Sequence, residues 1–209
     1  MRKHKEIFTN IYDKNIWSNG SGTGSKYSYC KRYIENIQKY MEENNIENVV
    51  DLGCGDWQFS MHMDWSKVHY VGVDIVQSVI DENIAQHTSP PNVVFTCKDI
   101  SDTSSIEFLM DKPNQLILIK DVLMHWSDEE IVPWMNWLTS LPNKHIIITN
   151  NWKYYRKPEN NNNPRSIDNR YSWAPLDSQK QPLSRYGFEV LFNYRHKQAS
   201  ILTGENNDR

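Results

Sequence analysis

Cysteine is scarce in this 209-residue chain: Cys30, Cys54 and Cys97 lie far apart and form no CxxC pair or Cys/His cluster. That spacing argues against a zinc site and implies three reduced thiols in an intracellular, cytoplasmic protein. Long apolar runs are missing as well, and nothing approaches the ~18 uninterrupted apolar residues of a membrane span. The opening Met1–Glu6 is basic with no apolar run behind it, so neither a secretion signal nor a membrane anchor is expected. Charge of one sign is not in excess: 23 basic and 26 acidic side chains give a net −3, which disfavours general nucleic-acid binding.

Aromatic and apolar residues are well represented. Six Phe, eight Trp and eleven Tyr, with 38% hydrophobic residues, are too many for a disordered chain and imply a packed core or an aromatic-lined pocket. The length suits one α/β-sized domain with embellishments. Charge is unevenly spread, with 13 basic and 20 acidic side chains in residues 1–150 against 10 and 6 in residues 151–209. Lys153, Arg156, Lys157, Arg165 and Arg170 supply most of the later basic excess, which reads either as a site for an anionic partner or as a solvated loop.

Apolar spacing predicts a short helix on Ile7, Phe8, Ile11 and Tyr12 and a longer one on Cys30, Tyr33, Ile34, Ile37, Tyr40 and Met41. Between them lies Asn19-Gly20-Ser21-Gly22-Thr23-Gly24-Ser25. From Asn48 onward short apolar runs alternate with helical stretches. Val49–Leu52, His69–Val73, Val93–Cys97, Leu116–Ile119 and His145–Thr149 are the predicted strands, and the alternation predicts a parallel sheet of the α/β class. Val76, Val79, Ile80 and Ile84 mark one face of a crossover helix. Ser127-Asp128-Glu129-Glu130 is a capping box that opens another, with Pro133 deep enough to shorten or bend it. A polar stretch from roughly Asn151 to Leu183 lacks periodicity, and loops of that length are commonly functional or disordered. Phe188–Tyr194 and Gln198–Thr203 are spaced as a terminal hairpin.

The strongest chemical signal is Val49-Val50-Asp51-Leu52-Gly53-Cys54-Gly55-Asp56, an apolar strand ending in an acid and a GxG turn. Glycines there let backbone N–H groups approach a ligand. Tyr70-Val71-Gly72-Val73-Asp74 ends the next strand in an acid able to accept both hydroxyls of a ribose. Asp99 and Lys120-Asp121 end the third and fourth strands, so acids recur at intervals of 22 to 25 residues. One such acid is an ordinary turn or cap residue, but four in register point to a ligand-binding edge. Asp99 is placed either to accept the adenine amino group or to cap the segment that follows. A dinucleotide fingerprint needs glycine at position 58, where the chain has Gln58 behind a bulky Trp57. S-adenosylmethionine (SAM) has a ribose and adenine but no phosphate, and its amine wants an acceptor such as Asp51. It therefore suits this turn better than NAD does. The run Gly20–Lys26 looks like a phosphate loop but reads Ser-Lys where that motif needs Lys-Ser or Lys-Thr, so an NTPase reading fails.

These residues resemble the class I, Rossmann-like SAM-dependent methyltransferases. The resemblance covers about Asn48 to Asn151, with Asp51-Leu52-Gly53-Cys54-Gly55 as the glycine motif, Gly72-Val73-Asp74-Ile75 as the ribose-binding acid motif, and Ile119–His125 as the fourth motif. It implies a doubly wound, mostly parallel seven-stranded sheet with helices on both faces and an antiparallel C-terminal hairpin. The implied single domain comprises a helical lid (1–46), a SAM-binding core (47–150), a substrate-side loop (151–184) and the hairpin with its tail (185–209). By the same resemblance Asp51, Gly53, Cys54, Gly55 and Asp74 bind the cofactor. Ile75 lies on the adenine face, Asp99 and Ile100 lie near its edge, and Lys120 and Asp121 lie near the methionine end. Trp17 and the Ser/Gly run either fold over the cofactor carboxylate or link two helices. Trp57 replaces the third glycine of the motif.

Methyl transfer from a sulfonium is an in-line displacement, so a protein chiefly aligns the nucleophile, and a base helps when the acceptor is a hydroxyl. His125 is the first candidate for that base, with a packing or capping role as the alternative, and Asp121 is the second. Asn150 and Asn151 read as substrate contacts or strand caps. A divalent metal held by Asp121, Asn150 and Asn151 is not expected, because only one of the three is a carboxylate. The polar loop and the aromatics Trp17, Trp152, Tyr155, Tyr171 and Trp173 suit a sugar or glycan hydroxyl as the acceptor, with Arg165 and Arg170 for an anionic group on it. An RNA or protein methyltransferase and a non-catalytic SAM-binding module are the alternatives.

Overall fold

Short β-branched and aliphatic runs form the strands where the alternation placed them. A computed structural model describes residues 2–87, 91–142, 144–153 and 173–204. Its strands are β1 (Asn48–Leu52), β2 (His69–Asp74), β3 (Val93–Cys97), β4 (Gln115–Lys120), β5 (Lys144–Asn151), β6 (Glu189–Tyr194) and β7 (Lys197–Thr203). They form one seven-stranded sheet in the order β3-β2-β1-β4-β5-β7-β6, mostly parallel with an antiparallel C-terminal pair. All six residues of β4 are buried, the continuous apolar pattern of a strand covered on both faces. Leu116, Ile117 and Ile119 are each 0% exposed, and burying each contributes roughly 1.5–3 kcal/mol. Among the described residues no helix is long and apolar enough to cross a membrane.

The chain divides into two compact parts, Met1–Leu116 and Ile117–Arg209. The first begins with α1 (Arg2–Asp13) and α2 (Tyr27–Glu43), the latter entered through a 3-10 turn at Thr23–Ser25. The face of α2 formed by Cys30, Tyr33, Ile34, Ile37 and Met41 is buried, as its spacing predicts. β1 and β2 pair in parallel with Asp51 opposite Gly72, and β2 and β3 pair in parallel with Gly72 opposite Phe95. Gly72 is needed there, since a Cβ would lie 2.7 Å from the Phe95 ring and 3.1 Å from Cys54 Sγ. On α3 (Gln77–Gln86), Val79 and Ile80 are buried but Ile84 is 46% exposed, against the predicted stripe. The cause is Asn83, whose Nδ2 donates to Gly55 O at 2.8 Å and turns that flank inward in place of Ile84. A single turn, α4 (Thr103–Ile106), follows β3.

In the second part α5 (Asp128–Ser140) starts with the predicted capping box, in which the Ser127 N–H donates to Glu130 Oε2 at 2.9 Å. Pro133 does not shorten the helix, which runs on to Ser140. Pro133 has no N–H to offer the carbonyl of Glu129 one turn earlier, and Glu129 lies on the exposed side of the helix. β5 pairs antiparallel with β7, placing Asn150 opposite Gln198 and Asn151 opposite Lys197. β7 pairs antiparallel with β6 across a bulge between Val190 and Phe192.

Candidate functional site

In the first part, two strand ends present buried carboxylates. Asp51, at 3% exposure, accepts a 2.7 Å hydrogen bond on Oδ2 from Tyr70, which is fully buried. Asp74 accepts one backbone N–H on each oxygen, from Gly55 on Oδ2 and from Val76 on Oδ1, both at 3.0 Å. Burial pushes the Asp74 carboxyl above its ordinary value, against the pull of the Val76 and Gly55 amides. Between the two acids lies the glycine turn, where Gly53 and Gly55 have φ of +87° and +56°. Trp57 also has a left-handed φ of +55°, so the backbone keeps the conformation a third glycine would adopt. The ring holds it there, buried against Tyr70, His87 and Phe95. Burial raises the thiol of Cys54, and the Asp74 and Asp51 carboxylates raise it further.

The N-terminal segment is fastened to this turn. The Ser21 N–H donates to Asp56 Oδ2 at 2.9 Å and the Asp56 N–H donates to Ser21 Oγ at 3.1 Å, a reciprocal pair. Ser21 Oγ also shares a 2.6 Å hydrogen bond with the Tyr12 hydroxyl, and Gln58 Nε2 donates to Asp56 Oδ2 and to Asn19 O. The approach demands glycine on both sides. A Cβ on Gly20 would sit 1.9 Å from Asp56 Oδ2, and one on Gly55 would sit 2.3 Å from Ser21 Oγ. Trp17 packs edge-on against Phe8 and Tyr12. Burial raises the Tyr12 phenol well above its ordinary value, with further contributions from the carboxylates of Asp74 and Asp56.

The third strand end is shaped as a turn. Asp99 Oδ1 accepts both the backbone N–H of Ser101 at 3.0 Å and its hydroxyl at 2.6 Å, the capping alternative for this residue. Ile100 is buried and Ile75 half-buried.

In the second part, Lys120 and Asp121 follow one another at the end of β4. Asp121 has φ of +61°, and its N–H donates to Thr149 O at 2.8 Å. Its carboxylate lies between Lys120 Nζ at 2.7 Å and Lys197 Nζ at 2.5 Å, and Lys197 also donates to Asn151 Oδ1 at 3.1 Å. Burial alone would raise the Asp121 carboxyl, but the two ammonium groups outweigh it and hold it well below the ordinary carboxylate range. A lone carboxylate engaged by two cations is a poor donor set for a divalent metal. Asn150 is 2% exposed, and its Oδ1 has no hydrogen-bond partner among the described residues. His125 closes a 3-10 turn (Leu123–His125), half-buried, with its N–H on Val122 O. The chain returns beside these strand ends, with the Ala174 N–H on Met124 O and the Leu176 N–H on Asn151 O. Arg170 and Tyr171, with Tyr155 and Arg165, lie outside the described residues.

No family model matches the chain. It is 33% identical over 87 residues to phosphoethanolamine N-methyltransferase 1 of Zea mays, covering 41% of this chain and 17% of the maize protein. The chain thus spans about a sixth of that relative's length. Solved structures match over nearly its whole length. The N-methyltransferase NodS from Bradyrhizobium japonicum, in complex with S-adenosylhomocysteine, superposes with a TM-score of 0.67 at 8% identity, covering 95% of this chain and 98% of NodS. Magnesium protoporphyrin IX methyltransferase from Synechocystis, also with S-adenosylhomocysteine, gives 0.62 at 13% identity over 94% and 98%. Human N-acetylserotonin methyltransferase in complex with SAM gives 0.59 at 15% identity, over 95% of this chain and 59% of the human one. The chain has the class I methyltransferase fold. Within that fold the glycine turn follows β1 and Asp74 ends β2. Tyr12, Asp56, Tyr70 and Lys197 contact predicted residues within their own parts of the chain but were given no role by sequence reasoning, which took in Ser21 only as part of the Ser/Gly run. Asp56 alone carried a signal, as the acid directly after the GxG turn. The others act across 9 to 76 positions of sequence, a reach no local pattern encodes.

Proposed function

We propose that the chain is a SAM-dependent methyltransferase that acts on a hydroxyl oxygen of a small polar acceptor such as a sugar or glycan. The observation that carries the cofactor half is Asp74. Each of its oxygens accepts one backbone N–H and keeps a lone pair for a further donor, as the two hydroxyls of a ribose require. The methyltransferase fold supports the same reading. When bound, SAM supplies an electrophilic methyl group on a sulfonium. The chain's own work is alignment: Asp51, Gly53, Cys54 and Gly55 shape the turn, Ile75, Asp99 and Ile100 flank the adenine, and Trp17 braces the N-terminal segment. Lys120 fixes the carboxylate of Asp121 at the end of β4.

We assign the acceptor proton to His125. Asp121, held ionised by two lysines, is too weak a base for a hydroxyl. Asn150, Asn151, Arg170 and Tyr171 are assigned to the acceptor. A second reading, transfer to an amine, is favoured by the maize relative and NodS, which are N-methyltransferases. An amine attacks through its lone pair before its proton leaves, so it depends less on His125. The test is methyl transfer from labelled SAM to a panel of sugars, nucleotide sugars and small amines, with wild type and His125→Ala. Transfer to a hydroxyl, falling about 10²- to 10⁴-fold in the variant, is the expected result. Transfer to amines alone, unchanged in the variant, would replace oxygen by nitrogen, and cofactor binding without any transfer would leave a binding module.

A further inference from the structure

We propose that Asp56 receives the α-ammonium of the cofactor on Oδ1 while Ser21 closes over the same carboxylate on Oδ2. This rests on the SAM reading above and adds to it a residue for the amino-acid end of the ligand. The two oxygens of Asp56 differ sharply. Oδ2 accepts from the Ser21 N–H and from Gln58 Nε2, at 2.9 and 2.6 Å, whereas Oδ1 is buried and has no hydrogen-bond partner among the described residues. A buried carboxylate oxygen without a donor is costly, and the group that relieves it best is a cationic donor, because charge-assisted bonds are about twice as strong as neutral ones.

The surroundings fix this oxygen rather than let it swing to water. Asp56 follows Gly55 in the glycine turn, and its own N–H is taken by Ser21 Oγ. Ser21 is in turn tied to the Tyr12 hydroxyl, and the missing Cβ atoms of Gly20 and Gly55 let the two segments touch. Gly55, which directly precedes Asp56, donates its N–H to Asp74 Oδ2 at 3.0 Å, so the two acids meet at one turn. Asp74 is shaped for the sugar end of a SAM-like ligand and Asp56 for its amino end. The N-terminal segment is thereby coupled to the cofactor, because the carboxylate that binds the ammonium also holds Ser21.

Calorimetric titration of the full chain with S-adenosylhomocysteine and its des-amino analogue, in wild type and Asp56→Asn, tests the assignment. Asn keeps an oxygen for the Ser21 N–H and removes the charge. Wild type is expected to prefer S-adenosylhomocysteine at least tenfold, and Asp56→Asn is expected to lose that preference while binding the des-amino analogue within about twofold of wild type. Equal affinities of wild type for the two ligands would overturn the assignment without recourse to any variant. So would an equal loss for both ligands in Asp56→Asn, which marks a structural role, or no loss for either. Failure of wild type to bind S-adenosylhomocysteine at all is a different result, which removes the SAM reading itself and this assignment with it.

Discussion

The hydroxyl of Tyr70 on β2 donates a 2.7 Å hydrogen bond to Oδ2 of Asp51 on β1, so the acid that opens the glycine turn is held from the neighbouring strand. Both residues are buried, and the phenol is raised well above its ordinary value by burial first and by the Asp51 carboxylate second. Tyr70→Phe keeps the ring packed against Trp57 and Trp65 but leaves a buried carboxylate oxygen short of its donor. Denaturant unfolding is expected to show a loss of about 1–3 kcal/mol. An unchanged midpoint would mean that water reaches Asp51.

Trp57 presents two opposed effects. Its left-handed φ costs roughly 1–2 kcal/mol for a residue with a Cβ, while truncating a buried Trp costs about 3–5 kcal/mol. The ring contacts with Tyr70, His87 and Phe95 should therefore win. Trp57→Gly, which restores a glycine to the motif, is expected to lower stability by about 2–3 kcal/mol. Stabilisation instead would mean that backbone strain dominates.

Asp121 makes stability depend on acid. Its folded pKa lies below its unfolded one, so the stability it contributes is present above about pH 4 and is lost as pH falls further. Asp121→Asn leaves Lys120 and Lys197, at 4% and 3% side-chain exposure, without that carboxylate. A cost of about 3 kcal/mol at pH 7 is expected, at the low end for a broken buried pair because Asp121 itself is 21% exposed. The gap between wild type and variant should hold down to about pH 4 and narrow progressively below it when unfolding is followed into acid. A gap that stays constant would contradict the ion-pair origin of the effect.

Much of the frame was legible because each element carried its own local signal. Val93–Cys97 is bounded as predicted, β1 and β2 differ from their predicted limits by one residue at one end, and β4 and β5 by one or two at both. Apolar runs between turn residues leave little choice of register in a buried parallel sheet. The capping box at Ser127 declared the start of α5 equally plainly. Ile84 was misplaced because periodicity sees apolar residues but not Asn83 reaching for a carbonyl of the glycine turn. The acids at the ends of β1 and β2 were legible as a pair. Their partners were not, since Tyr70 reaches Asp51 from the neighbouring strand and Asp74 is held by the backbone N–H groups of Gly55 and Val76. At Asp121 the sequence offered a base, while Lys197 from the terminal hairpin makes it an ion-paired anchor.

The cofactor claim rests on Asp74, and it is tested most directly by calorimetric titration of SAM and S-adenosylhomocysteine into wild type and Asp74→Ala. Wild type is expected to bind both in the micromolar range, with a loss of at least a hundredfold in the variant, since two hydroxyl bonds to a charged acceptor contribute about 1.5–3 kcal/mol each. Affinity should also fall in wild type as pH drops through the raised Asp74 pKa, because the protonated acid can no longer accept both hydroxyls. Well-folded wild type that binds neither ligand, or an Asp74→Ala variant that binds both as tightly, would contradict the assignment of this strand edge to SAM.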